Sequence, residues 1–138
     1  MEKENKSEFT QEEAMLQLQN GFERAEVVIR DINKMETLIR AIEAQKIGKE
    51  FKKIPVLLDL TKDYVHKKYT QIPIKSIIAI VSALIYFINP FDIFKDGIPL
   101  IGKVDDLAVI AICWKLVKQD IEAYLKWKEE NKNEQEDE

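Results

Sequence analysis

Hydrophobic positions along this chain fall into two regimes. In the first half they recur three and four residues apart. In two later segments they are nearly continuous. Met15, Leu18, Phe22, Ala25, Ile29 and Ile32 form one three-and-four seam, which predicts an amphipathic helix with a single buried stripe. Thr10 followed by Glu13 fits a capping box at its start. Gly21 weakens the run without having to break it. The phase slips near Asn33, where Asn33-x-x-Glu36 fits a second cap. The helix that follows carries Met35, Leu38, Ile39 and Ile42, with Gly48 as its stop. A third helix, starting near Ile54 because Pro55 is tolerated in a first turn, carries Leu57, Leu58, Thr61, Val65 and Tyr69.

The continuous regime begins at Pro73. From Ile72 to Ile88 only Lys75 is charged, and a helix that is apolar nearly all round is buried on every side, in protein or in lipid. Ala79 and Ala83, one turn apart, leave room for a neighbouring helix to approach closely. Asn89-Pro90 ends the segment, since proline disfavours helical geometry in the residue before it. A fifth helix opens at Asp105 or Asp106 and continues to about Lys128, with only Lys115 charged between Leu107 and Val117. Ile72–Ile88 contains 17 residues, and at about 1.5 Å per residue falls short of the roughly 30 Å hydrocarbon core. Leu107–Val117 is shorter still. The pattern therefore predicts an all-α compact bundle of about five helices around a very apolar central helical hairpin. A shallow or re-entrant insertion stays open, because Lys67, Lys68, Lys75, Lys115, Lys118 and Lys126 flank the hairpin's outer ends, as positive-inside topology would place them.

Composition adds domain limits and a charge map. With 138 residues, 46% of them hydrophobic and 33% charged, the chain has the balance of one folded domain. The expected organisation is a disordered N-terminus over 1–9, a single helical domain over 10–128 and a disordered acidic tail over 129–138. That tail holds six acids against Lys132 alone. Between Lys46 and Lys75 eight lysines face only Glu50, Asp59 and Asp63, a local excess suited either to a solvated helix face or to an anionic membrane surface. The first residues lack the apolar core of an export signal, which points to the cytoplasm or the cytoplasmic side of a membrane. The net charge of −4 and the missing nucleic-acid motifs argue against DNA or RNA as partners.

Candidate chemistry is confined to the loop between the two apolar segments. Asp92, Asp96, Asp105 and Asp106 could offer oxygen ligands to Mg²⁺ or Ca²⁺, although the EF-hand order is absent. The structural account covers the same residues. Asp105 or Asp106 caps the fifth helix, Asp92 and Asp96 form turns, and Gly102 serves a positive-φ turn. His66 stands alone among lysines as a surface histidine, without a partner for a catalytic relay. Cys113, the single cysteine, sits between Ile112 and Trp114 as a buried, inert thiol. No cofactor motif is present.

The loop as a whole resembles a known pattern. Asn89, Pro90, Asp92, Asp96, Ile98, Pro99, Gly102, Asp105 and Asp106 follow the spacing of the YkvA-like family, small bacterial proteins built around a domain of unknown function. Asp63-Tyr64-Val65 and Ile72-Pro73 are also similar to the family's approach to that loop, so the resemblance covers 64–127. Lys95 and Gly97 depart from it, where the family commonly has proline and a bulky apolar residue. The resemblance implies an all-helical, membrane-associated domain with no established reaction, and it supplies no catalytic residues. The sequence thus favours a non-enzymatic interaction module at a membrane, with an unidentified protein partner. Self-association through the Met15–Ile32 seam is a further expectation. The alternatives are a soluble cytoplasmic adaptor and a metal-dependent hydrolase using the loop aspartates.

Overall fold

In the computed structural model, described over residues 11–45, 52–88 and 106–137, every regular element is a helix. In chain order these are α1 (Gln11–Asn20), α2 (Phe22–Arg30), α3 (Ile32–Glu43), α4 (Lys53–Val65), α5 (Ile74–Phe87), α6 (Asp106–Leu116) and α7 (Lys118–Asp137). The all-α expectation holds. The expected first helix is divided at Gly21 into α1 and α2. The expected fifth is divided at Val117 into α6 and α7. The second division is slight, because Val117 N donates to Cys113 O and Ile121 N to Val117 O, so the hydrogen-bond ladder runs through it.

Helix α5 is the centre. Its residues from Ala79 to Tyr86 are all buried, and α1, α2, α3, α4 and α6 each pack against it. That arrangement follows from the sequence: a helix without a polar face needs cover on every side, and the amphipathic helices each supply one stripe. The tightest approaches use small residues. Cys113 Sγ on α6 donates to Ala79 O at 3.5 Å. Elsewhere along α5 the chain passes over Ser82 at Gly21, where an added Cβ would lie 2.8 Å from the Tyr86 ring and closer still to Ser82 Oγ.

Gly21 is therefore more than a weak helix residue. It forms the turn between α1 and α2, with Gly21 N donating to Leu18 O at 3.1 Å and Ala25 N to Gly21 O at 2.8 Å. The turn draws the buried Leu18 carbonyl toward α5, and Ser82 Oγ donates to it at 2.7 Å. Ser82 is fully buried, so the bond meets the needs of both polar groups in an apolar setting. The buried stripe accordingly runs through Ala14, Leu18, Gly21, Ala25 and Val28, with Met15, Phe22 and Ile29 only partly covered. Ile32, expected on the seam, is 54% exposed, because the chain turns at Asp31 before reaching it.

Two other boundaries depart from expectation. The cap of α3 is Asp31, two residues ahead of Asn33; its Oδ1 accepts from Asn33 N at 3.0 Å and Lys34 N at 3.4 Å. One extended residue both ends α2 and starts α3, which leaves no room for a later cap. Pro73 precedes α5 as its N-cap rather than opening it. The last part of α7 carries the chain to Asp137. It continues a helix already anchored by Ile121 and Tyr124, and Asn131 Nδ2 donates to Trp127 O at 2.8 Å in its third turn. The suggested cap at Thr10 and stop at Gly48 lie outside the described residues, as do residues 1–9.

Helix α4 ends in a Schellman motif. Lys68 N donates to Asp63 O at 2.8 Å and Lys67 N to Tyr64 O at 3.1 Å, the paired bonds that close a helix through a left-handed residue. That residue is Lys67, with φ 62°, where glycine is the usual occupant.

The Gly21 crossing yields a stability test. Gly21→Ala should cost about 1–3 kcal/mol by overpacking, and the penalty should shrink by at least about 0.5 kcal/mol in a Ser82→Ala background. Denaturant melts of the four chains check this, and strictly additive losses would show that residues 21 and 82 do not meet.

Candidate functional site

Asn89, Pro90, Asp92, Asp96, Pro99, Gly102 and Asp105 lie outside the described residues, and Asp106 is placed as the first residue of α6. Among the described residues, no group of three His, Cys, Asp or Glu side chains is arranged to hold a metal. His66 is exposed, with Nε2 3.7 Å from Glu36 Oε2. Cys113 is buried, and burial pushes its thiol up to about 12, far from the thiolate that a nucleophile requires.

The structure instead assembles a polar and aromatic cluster between α4 and α7. Asp59 and Asp63 share one face of α4, and Tyr124 and Lys128 share one face of α7, each pair four residues apart. Tyr124 OH donates to Asp63 Oδ2 at 2.7 Å. Lys128 Nζ donates to the same phenol oxygen at 3.2 Å and stands 3.6 Å from Asp59 and 3.7 Å from Asp63. Tyr69, just beyond α4, packs edge-on against Tyr124 with ring centres 5.2 Å apart, and against Trp127 at 4.9 Å. Ser76 Oγ at the start of α5 donates to Asp120 Oδ2 on α7.

These contacts join the end of α4, the connection through Tyr69 and the start of α5 to one side of α7. Burial, then the hydrogen bond to Asp63, pushes the Tyr124 phenol above its ordinary range. Tyr124 holds its proton toward Asp63, and the cluster is a clasp between elements. The matched four-residue spacings of Asp59/Asp63 and Tyr124/Lys128 were visible in the sequence, although nothing there indicated that they would meet.

A second feature has the form of a binding site. A cleft of about 370 Å³ lies where the α2–α3 corner meets the end of α4. Met35 is its buried residue, and Ile29 and Val65 are partly covered walls. Arg30, Ile32, Lys67 and Thr70 are its exposed lining residues, and Tyr64 adds a half-buried ring. The lysine-rich stretch is only partly accounted for by pairing. Lys62 bridges to Glu43 at 2.7 Å, which raises its pKa, and Lys53 lies over the Trp114 ring at 5.4 Å. Lys68 and Lys75 are exposed and have no ion-pair partner among the described residues.

Comparison with known proteins places a family model described as "Protein of unknown function (DUF1232)" on residues 76–112, from the first turns of α5 into α6. The chain is 29% identical over 75 residues to a Bacillus subtilis (strain 168) protein named "Uncharacterized membrane protein YkvA", covering 54% of this chain and 71% of that one. No solved structure matches. No helix among the described residues is long and apolar enough to cross a membrane.

The Tyr124–Asp63 bond gives two linked expectations. Tyr124→Phe should lower stability by about 1.5–3 kcal/mol, the value of a hydrogen bond to a charged group. Alkaline titration should show the sign of the phenol's shift. Below the ordinary tyrosine value of 10.0 the phenol is protonated folded and unfolded, and its contribution is complete. Above that value the unfolded chain loses the proton first, so stability falls as pH rises. Urea melts on both sides of that value should show a shallower decline in Tyr124→Phe, with Cys113, Tyr69, Tyr86 and Lys62, all raised in the folded chain, contributing to the remainder.

Proposed function

On the premise that this chain is a member of the YkvA-like family of unknown function, we propose that it is a non-enzymatic helical module that works on the cytoplasmic surface of a membrane. It acts there by contact with lipid and with a protein partner, and its association is peripheral. Helix α5 has 14 residues, about 21 Å at 1.5 Å per residue, and its apolar surface is already taken up by five other helices. Exposing it to lipid would strip the core from the bundle.

The observation that carries the reading is the basic, partly apolar end of the bundle where α5 and α7 begin. The Ser76–Asp120 bond brings those two first turns together. Ile74 is 51% exposed there, beside the exposed Lys75 and near Lys118. Lys68 lies one residue before Tyr69, which packs on α7. Asp120, an acid within this group, is engaged by Ser76; Glu122 is exposed. Basic side chains around an exposed apolar residue suit an anionic bilayer surface, at about 1 kcal/mol for each lysine near it. The relative named as a membrane protein is consistent with such a location.

Sedimentation with vesicles tests the reading. The protein should pellet with phosphatidylglycerol-containing vesicles at low salt, leave them at high salt, and ignore pure phosphatidylcholine. Replacing Lys68, Lys75 and Lys118 with alanine should weaken the association about 100-fold. Equal binding to neutral vesicles, or none to either kind, would reject it.

A further inference from the structure

We infer that the cleft between the α2–α3 corner and the end of α4 is a binding site for a single-chain alkyl carboxylate of medium length, a fatty-acid-like ligand. Its volume of about 370 Å³ stands at the lower end of the roughly 300–1,000 Å³ found for small-molecule sites. Its apolar lining comprises exposed Ile32, partly covered Ile29 and Val65, and buried Met35, a set suited to an alkyl chain rather than to a sugar or a nucleotide.

The polar part selects the head group. Arg30 and Lys67 are both exposed lining residues, and neither has an ion-pair partner among the described residues. Of the acids nearby, Asp31 caps α3, Glu36 faces His66 and Asp63 accepts from Tyr124, while Glu26 stands one turn before Arg30 on α2. Two free cations on a cleft of this kind call for an anion, and the flat fork of arginine fits a carboxylate's two oxygens. Tyr64 and Thr70 bring hydroxyls to the same lining.

Lys67 supplies an independent pointer. It occupies the left-handed position of the Schellman motif, φ 62°, at a conformational cost that glycine would avoid. Unfavourable backbone geometry of this sort concentrates at ligand sites, where the side chain is needed. Here the ammonium it brings is one of the cleft's two cations.

This assignment does not rest on the membrane reading, since the lysines invoked there are Lys68, Lys75 and Lys118. Calorimetric titration of the full chain with decanoate and with decanol, both below aggregation, tests it. Decanoate should bind saturably and at least about tenfold more tightly than decanol. Arg30→Gln and Lys67→Gly should each weaken decanoate by about tenfold while leaving decanol unchanged, and glycine at residue 67 relieves rather than strains the fold. Ile32→Glu, at an exposed position, should abolish decanoate binding and leave vesicle association intact. No saturable decanoate binding, equal affinity for decanol, or indifference to all three substitutions would overturn the proposal. Vesicle binding lost with decanoate binding retained would reject the membrane reading alone.

Discussion

A helix without a polar side imposes the constraint on which the rest of this protein is built. From Ala79 to Tyr86 every residue of α5 is buried, and no partial cover would suffice in water. The four helices before it and α6 after it pack around it. The one hydroxyl inside the buried run, Ser82, would be a liability without a partner. The chain supplies the partner by breaking its first helix at Gly21 and presenting the carbonyl of Leu18. A polar residue, a glycine and a helix break, each unfavourable alone, form one compatible arrangement.

The second half of the architecture is held differently. Helix α7 extends past the core, and its attachment to α4 rests on Tyr124, Lys128 and two aspartates together with the Tyr69–Trp127 ring contact. Polar contacts of this kind have direction, whereas apolar burial is tolerant of small slips. The clasp thereby ties down the Lys67–Ile74 connection, which contributes residues to both surfaces proposed above for binding.

Much of the fold was legible in the amino-acid pattern. The three-and-four spacing located α3 and α4 through Met35, Leu38, Ile42, Leu57 and Thr61, and the apolar run located α5. What escaped was set by tertiary contact. Gly21 looked like a tolerable weakness because nothing local reveals that Ser82 needs a carbonyl at that height. Asn33 looked like a cap because Asp31 acquires the role only once α2 ends beside it. For the site the balance is reversed. The aspartate loop drew attention through its composition, yet the described chemistry lies in pairs such as Asp63 and Tyr124, whose proximity depends on packing between distant helices. The cleft was invisible for the same reason, being formed by residues from two separate regions of the chain.

Cys113 gives this packing an experimental handle. Its sulfur is enclosed between α6 and α5, with the thiol proton directed to Ala79 O and ionisation suppressed by burial. In the closed bundle an alkylating reagent has neither access nor a thiolate to attack. Modification of this lone sulfur would therefore count the moments at which the two helices part, making the chain's own chemistry a clock for its breathing.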